Sequence, residues 1–278
     1  MASSQHTTTI KAGGSEKDYW KDLWLHRQLL WILSKRDISV RYKQTLLGVA
    51  WSVLRPLMTL VVMVFVFSYV AKTKGDPNVP YPLMVLSGLT IWTFFSNTFG
   101  QISSSVLINS NMVSKVYFPR LLMPLSAVAV GFVDFLISFA IFMLMTPFFD
   151  YQISWQIIYL PFFILLTFIT SMGFGLFFAV LNVKFRDIGQ LIPFLIQVGM
   201  YACPVGYSAS LVKGTWYEKY YNLNPLVGII SGFRWCLLGE NSYFNPQSLY
   251  STAITSFAIL ILSLIYFRRK ENTFVDYL

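Results

Sequence analysis

Two ionisable residues lie inside long apolar runs, where a charge is costly to bury. Asp134 lies within one such run, and Arg55 lies near the start of another and is followed directly by Pro56. Charged side chains in a membrane span usually mark a functional site. We expect Asp134 either to pair with a basic residue of a neighbouring helix or to face an aqueous path. Arg55 either belongs to a site or only extends its long side chain to the membrane surface.

Aromatic rings are a second group that can bind a ligand. Many follow helical spacing, and sugars can stack their apolar C–H faces on such rings. The rings predicted to line a glycan path are Trp92, Phe95, Phe99, Phe135, Phe139, Tyr201 and Tyr207. The alternative is ordinary core packing with an aromatic belt at the membrane surface. Both interpretations stay open at this point.

Several kinds of catalytic site are absent from the sequence. No Gly-Lys pair occurs, so the chain has no G-x-x-x-x-G-K-[ST] phosphate loop with which to bind ATP. His6 and His26 are the only histidines, which argues against a histidine-based metal site or catalytic dyad. The absence of a D-x-D cluster argues against a metal-dependent glycosyltransferase. We therefore expect no catalytic residue, metal or cofactor in this chain.

The composition indicates that membrane helices position these residues. Hydrophobic residues make up 55% of the 278, and charged residues only 12%, about half the share usual in a soluble domain. A helix needs about 20 mostly apolar residues to cross a bilayer. Six runs are candidates: Leu57–Ala71 with an extension back to Leu46, Leu83–Phe99, Leu121–Phe148, Trp155–Leu181, Ile188–Val205 and Ser251–Phe267. Pro225–Leu238 is too short to cross and is predicted to be re-entrant or interfacial.

Basic residues predict the orientation of these spans. With six spans, the basic clusters at residues 11–43, 115–120, 184–186 and 268–270 all lie on one side. Under the positive-inside rule this side is cytoplasmic, so both termini are predicted to be cytoplasmic. Membrane orientation and anionic lipid then explain the net charge of +9, and we expect no nucleic-acid partner.

The pattern divides the chain into four parts. Residues 1–17 lack the apolar core of a secretory signal and are predicted to be a flexible cytosolic tail. Residues 18–45 carry a Trp-rich stripe flanked by Lys and Arg, typical of an amphipathic helix on the membrane surface, and packing on a cytosolic partner is compatible with it. Residues 46–267 are the predicted transmembrane domain. Residues 268–278 form a second cytosolic tail.

Two connections inside the transmembrane domain are predicted in more detail. The cytoplasmic segment 100–120 is expected to contain a short helix of about seven residues that Pro119 ends. The outer segment 206–247 is the largest on its side. Cys203 and Cys236 map close to this side, either as a disulfide or as buried single thiols.

Four segments of the chain carry distinctive motifs. They are 34–57 with Arg41, Gly48 and Arg55-Pro56; 109–120 with Lys115 and Pro119-Arg120; 182–187 with Arg186-Asp187, continuing to Cys203-Pro204-Val205-Gly206-Tyr207; and 223–235 with Asn224-Pro225, Gly228 and Arg234-Trp235. Together these segments resemble the permease subunits of polysaccharide ABC exporters, of the O-antigen and teichoic-acid export type. They occur in the order found in that family and cover most of the chain.

The resemblance implies an all-α integral membrane protein of the bacterial inner membrane. Six transmembrane helices would be joined by an N-terminal amphipathic interface helix and short outer gate helices. A homodimer would bind two cytosolic ATP-binding-cassette subunits, which hold the ATP and Mg²⁺. The implied substrate is a polysaccharide linked to undecaprenyl pyrophosphate, such as O-antigen. Teichoic acid, capsule or a drug are alternative cargoes. An ion-coupled secondary transporter is a more distant alternative, since it predicts acid–base pairs and repeats that the sequence does not show.

The resemblance also implies roles for particular residues. The lipid pyrophosphate head group is expected at Arg36, Arg41, Lys43 and Arg55, since arginine can bind phosphate bidentately; anchoring to anionic lipid is the alternative. The helix around 20–33 would be a second ATPase contact, beside a coupling helix formed by Asn111, Met112, Val113, Ser114, Lys115, Val116, Tyr117, Phe118 and Pro119. The outer gate would include Pro225, Arg234 and Trp235.

Overall fold

The computed structural model describes residues 16–43, 49–72, 75–76, 79–113 and 115–277, and within these ranges the chain is helical and without strands. The α-helices are, in chain order, α1 (Glu16–Leu25), α2 (Arg27–Lys43), α3 (Val49–Val64), α4 (Tyr81–Ile108), α5 (Ser110–Val113), α6 (Leu122–Met145), α7 (Leu160–Lys184), α8 (Ile188–Ala202), α9 (Glu218–Tyr221), α10 (Pro225–Leu238), α11 (Pro246–Lys270) and α12 (Phe274–Tyr277). A π-helical stretch continues α3 over Phe65–Val70. The 3₁₀ turns are Pro147–Phe149, Trp155–Tyr159, Ala209–Val212, Gly239–Asn241 and Glu271–Thr273.

Four of the described helical stretches are long and apolar enough to cross a membrane: Ala50–Val70, Leu122–Phe149, Trp155–Lys184 and Pro246–Thr273. The predicted class, an all-α integral membrane protein, is therefore confirmed. Two further predicted spans correspond to α4, which is 28 residues long but rich in polar residues, and to α8, which has only 15. The number six thus stays a prediction.

Helix α4 is the centre of the bundle. It packs against α3, α6, α7, α8 and α10, and most of its side chains are buried. Most of its serine and threonine hydroxyls are satisfied within the helix, because they donate to a carbonyl three or four residues earlier. Examples are Thr90 to Leu86 (2.8 Å) and Ser103 to Phe99 (2.7 Å). The buried hydroxyl of Thr98 has no hydrogen-bond partner among the described residues. A helix surrounded by protein can therefore carry many polar residues without exposing them to lipid.

Close packing holds α11 against α7. At Gly173, an added Cβ would lie 2.9 Å from the backbone nitrogen of Leu260. The absence of a side chain therefore lets the two backbones approach, as small residues do at many membrane helix contacts.

The N-terminal amphipathic segment differs from the single helix that the sequence predicts. It forms α1 and α2, with a break at His26, whose Nδ1 lies 2.7 Å from the carbonyl oxygen of Asp22. Helix α2 does not lie only on the membrane surface, as predicted, but also packs along α6 inside the bundle. Asp37 accepts a hydrogen bond from Ser126 of α6 (3.4 Å), and Arg41 reaches Asp134. Asp134 lies twelve residues, or about 18 Å, along α6, so the C-terminal end of α2 reaches the middle of the bundle.

The two ends of the described chain meet at one end of the bundle. The hydroxyl of Tyr19 in α1 donates to Glu271 (3.1 Å), which also pairs with Arg268. The guanidinium carbon of Arg268 lies 3.2 Å from the centre of the Tyr19 ring. Burial is the main reason why the pKa of Tyr19 is raised, so the phenol stays a donor. We call this the basic end, because α7 and α11 also finish here with Lys184 and with Arg268, Arg269 and Lys270.

The predicted segment 100–120 begins later than expected. Helix α4 continues to Ile108, and Asn109 follows it with its side chain donating to the carbonyl of Ser105 (2.8 Å). Only Ser110–Val113 is helical afterwards, and residues 115–119 lead to α6 without helix. Among the described residues, the helix therefore covers four positions where about seven were expected, and Val116 and Pro119 disfavour helix in the stretch that follows.

Candidate functional site

A cavity of about 690 Å³ opens inside the bundle where α2, α3, α4 and α6 meet. It lies at the level of the middle of α4 and α6. Its lining combines two arginines, a carboxylate and small polar groups with aromatic and apolar side chains. The lining residues are Arg41, Trp51, Ser52, Arg55, Pro56, Thr59, Leu89, Trp92, Thr93, Ser96, Asn97, Asp134, Ser138 and Met200.

A buried network of polar groups forms one wall of the cavity. The Nη2 of Arg41 lies 2.5 Å from Oδ2 of Asp134, the hydroxyl of Tyr42 donates to Oδ1 (2.7 Å), and Nδ2 of Asn97 donates to Oδ2 (2.9 Å). The Asp134 side chain is only 8% exposed, whereas that of Arg41 is 33% exposed. Of the two expectations for Asp134, pairing with a basic residue of a neighbouring helix is therefore confirmed.

The protonation of Tyr42 supports this arrangement. Its hydroxyl lies 2.7 Å from Oδ1 of Asp134, and an ionised carboxylate can only accept, so the phenol is the donor of this hydrogen bond. The carboxylate of Asp134 consequently receives donors from α2 and α4 while it is itself held on α6, so three helices meet at one charged group.

Arg55 enters the cavity from α3 without such a partner. Its side chain is exposed and forms no ion pair with any of the described residues. The carbonyl of Arg55 accepts a hydrogen bond from the hydroxyl of Thr59 (2.9 Å), on the turn after Pro56. The guanidinium is therefore available to an anion in the cavity.

The four cations predicted for the head group do not form one cluster. Arg41 and Arg55 both line the cavity. Arg36 lies outside it and binds Asp37 (2.7 Å) and the side-chain oxygen of Asn109 (2.7 Å). Lys43 is exposed at the C-terminal end of α2, also outside the lining.

The aromatic rings predicted to line a path are mostly part of the packed interior. Phe95 stacks on Phe99 (ring centres 5.8 Å apart), and Phe135 stacks on Phe139 (5.8 Å). Trp92 is an exception, because it lines the cavity. Tyr201 and Tyr207 lie towards the end of the bundle opposite the basic end, where Tyr201 is exposed and Tyr207 is half-buried. Among the described residues, Trp92 is thus the one predicted ring in the lining of this cavity.

The predicted coupling residues divide into buried and exposed groups. Val113, Phe118 and Pro119 are buried, and Met112 is partly so. Val116 and Tyr117 are 57% and 61% exposed, and Asn111 and Lys115 are exposed as well. Ser114 lies outside the described residues. The apolar Val116 and the aromatic Tyr117 thus project side by side from the basic end.

The predicted outer-gate residues lie on α10, at the end of the bundle opposite the basic end. Pro225 is its first residue, and Trp235 stacks on both Tyr159 (5.9 Å) and Phe244 (5.3 Å). Arg234 is almost wholly buried. Its guanidinium donates to backbone carbonyls after α8: those of Pro204 (2.8 Å), Val205 (3.2 Å) and Tyr207 (3.1 Å).

The sequence analysis missed a second buried carboxylate near Arg234. Asp76 accepts hydrogen bonds from the hydroxyls of Ser208 and Ser242 (3.1 Å) and from the backbone of Tyr243 (3.2 Å). It lies in a turn-rich loop, where a charged residue is normally solvated and carries no signal. Cys203 and Cys236 are both buried free thiols, so of the two alternatives the structure has the unpaired one.

Comparison with known proteins agrees with this membrane architecture. Residues 28–238 match the family model described as "ABC-2 type transporter". The chain is 24% identical over 257 residues to the O-antigen export system permease protein RfbA of Myxococcus xanthus, covering 92% of this chain and 97% of the relative. It is 28% identical over 258 residues to a Klebsiella pneumoniae protein of the same name, covering 90% and 95%. It is also 23% identical over 252 residues to the polysialic acid transport protein KpsM of Escherichia coli, covering 85% and 91%. The family model matches most of the chain, and the chain therefore belongs to the ABC-2 type transporter family.

Proposed function

We propose that this chain is the membrane permease of an exporter that moves lipid-linked polysaccharide, such as O-antigen on undecaprenyl pyrophosphate, out of the cytoplasm. The observation that carries the proposal is the cavity, which brings Arg41 and Arg55 together with hydroxyl and amide groups. Such a lining suits a phosphate head group, because arginine binds phosphate oxygens through paired N–H donors. The names of three relatives, two for O-antigen export and one for polysialic acid transport, support a polysaccharide cargo.

We place the basic end in the cytoplasm of a bacterium, with both termini there and the bundle in the inner membrane. Residues 46–267 then act as the transmembrane domain, 18–45 as an interface helix that enters it, and 1–17 and 268–278 as tails. The head group would be drawn from the cytoplasmic side towards Arg41 and Arg55. The segment 206–247, with Pro225, Arg234 and Trp235, would close the outer side.

The energy source in this proposal is a separate subunit. The chain has no phosphate loop, so ATP and Mg²⁺ would be held by two cytosolic ATP-binding-cassette partners. Val116 and Tyr117 would contact those partners, since they project from the basic end beside the buried Phe118. A second copy of the chain would complete the polymer path, because the cavity of one copy is open on the side of Trp51 and Arg55, both exposed.

Depletion of the protein in its native host tests the cargo directly. We expect undecaprenyl-linked glycan to accumulate, to be detected by mass spectrometry, and to be accessible only on the cytoplasmic side of sealed vesicles. The polymer that accumulates would distinguish O-antigen from capsule or teichoic acid. Unchanged surface glycan without accumulation would refute the polysaccharide cargo.

Charge substitutions test the cavity. In the depleted strain, Arg41→Gln and Arg55→Gln are expected to reduce export roughly tenfold or more, since each removes charged hydrogen bonds of about 1.5–3 kcal/mol. Lys43→Gln is the matched control, because it removes one positive charge from α2, the helix of Arg41, at a position outside the cavity lining. If all three variants export as much glycan as the wild type at equal protein level, the head group binds outside this cavity.

A further inference from the structure

The carboxylate in the cavity is unexpected in a site that binds anions. Asp134 lines the same cavity as Arg41 and Arg55, and it would repel a phosphate close to it. The side chain is nevertheless held in place by Arg41, Tyr42 and Asn97, at 2.5, 2.7 and 2.9 Å. Such a fixed negative charge changes which anions the cavity can bind.

The pairing leaves the cavity with one uncompensated cation. Among the lining residues, Arg55 forms no ion pair with the described chain, whereas the charge of Arg41 is balanced by Asp134. Arg41 contacts the carboxylate through Nη2, and a guanidinium carries five N–H donors. Its side chain is one-third exposed, so a ligand can reach the remaining donors.

We infer that Asp134 is a specificity-determining residue that reserves Arg41 for a head group with more than one phosphate. This inference rests on the proposed function. A lipid with a single phosphodiester is satisfied by Arg55 and gains little from Arg41, whose charge Asp134 already balances. A pyrophosphate carries a second phosphate group, and this group binds the free donors of Arg41 in competition with the carboxylate.

The membrane itself makes such a filter useful. The cytoplasmic leaflet is rich in anionic phospholipids, which gather at exposed basic groups. A cavity with two free arginines would bind these lipids wherever they entered. Specificity often depends on repulsion of the wrong partner as well as attraction of the right one. Asp134 supplies this repulsion and also keeps Arg41 in position.

Binding to the purified full-length chain in neutral detergent micelles tests the inference. The probes are farnesyl diphosphate, farnesyl monophosphate and phosphatidylglycerol, followed by titration calorimetry. We expect the wild type to bind the diphosphate at least tenfold more tightly than the monophosphate. In Asp134→Asn we expect the affinities for the monophosphate and for phosphatidylglycerol to rise about tenfold, and the preference to fall to about twofold.

Two further variants test whether the effect comes from the cavity. Asp150→Asn removes the same kind of charge at an exposed position outside the cavity lining, so it should keep the wild-type preference. Arg41→Gln should lose the preference by weakening diphosphate binding, and it serves as the test if Asp134→Asn does not elute as a folded protein. A folded Asp134→Asn protein with the wild-type preference would overturn the inference. So would an equal change in Asp150→Asn, which would indicate that the effect does not come from the cavity.

The outcomes also distinguish this inference from the proposed function. A wild type that binds neither farnesyl phosphate refutes the head-group site and, with it, the inference. A wild type that prefers the diphosphate, alongside an Asp134→Asn protein with the same preference, refutes only the role of Asp134. Competition by inorganic pyrophosphate identifies the source of the recognised group. Strong competition supports the inference for free pyrophosphate as well as lipid, and weak competition supports it for the lipid-anchored group.

Discussion

Replacing Arg234 with leucine is expected to destabilise the end of the bundle opposite the basic end. The guanidinium donates to three backbone carbonyls, at 2.8, 3.1 and 3.2 Å. A hydrogen bond to a charged group contributes about 1.5–3 kcal/mol, so three would give roughly 4.5–9 kcal/mol. Leucine no longer requires the burial of a charge, and this gain brings the expected loss to about 3–5 kcal/mol, which is similar to the cost of removing one partner of a buried ion pair.

The assay is thermal unfolding of the detergent-purified protein, followed by size-exclusion chromatography after heating. For a chain of this size 1 kcal/mol corresponds to roughly 2 °C, so we expect the midpoint to fall by roughly 6–10 °C. Arg234→Lys should recover less than half of this, because a single ammonium cannot reproduce the planar fork. Lys219→Leu is the control, since this exposed lysine in the same outer segment should change stability by less than about 0.5 kcal/mol.

Two results would refute this reasoning. A wild-type midpoint for Arg234→Leu would mean that the three carbonyls find other donors, so that the buried arginine does not hold the segment after α8. A wild-type midpoint for Arg234→Lys would mean that the positive charge near Asp76 matters and the hydrogen-bonding geometry does not.

Two further predictions concern packing and the chain ends. Gly173→Ala is expected to lower stability by about 1–3 kcal/mol, because its Cβ would lie 2.9 Å from the backbone nitrogen of Leu260. Gly100→Ala is the control: no neighbouring atom would lie closer than 3.6 Å to its Cβ, so it should be neutral or stabilising by up to about 1 kcal/mol. Equal melting midpoints for the two variants would contradict the close α7–α11 contact. Tyr19→Phe removes the hydrogen bond to Glu271 but keeps the ring, so amide exchange in α1 should become faster while the melting midpoint changes little. Unchanged exchange in α1 would show that the hydroxyl does not hold this helix.

The sequence predicted the class of the protein and one half of its charged network. An acid inside an apolar run identified Asp134 because burial of a charge is rare enough to be informative. Its partner could not be found in the same way, since Arg41 belongs to a basic cluster in which several side chains looked equivalent. Only the path of α2 along α6 selects Arg41 over Arg36 and Lys43.

Other features depend on contacts that no local pattern contains. Helical spacing correctly indicates that Phe135 and Phe139 share a face, but it does not tell whether that face meets a cavity or another helix. Arg234 lies in a segment too short to span, so its burial was not expected. Both cases depend on which elements pack together, and this is determined by the whole bundle.

The polar character of α4 has a consequence for how the protein enters the membrane. Membrane insertion of a nascent helix depends on its own apolarity, and α4 is the long helix that its neighbours shield most fully. Most of its hydroxyls are already satisfied within the helix, but Asn97 gains its partner Asp134 only once α6 is in place, and α7 then covers a further face of α4. Helix α4, at the centre of the bundle, is thus synthesised before the helices that help to retain it in the membrane. Insertion of this protein should therefore be most sensitive to truncations that end before α7 is complete.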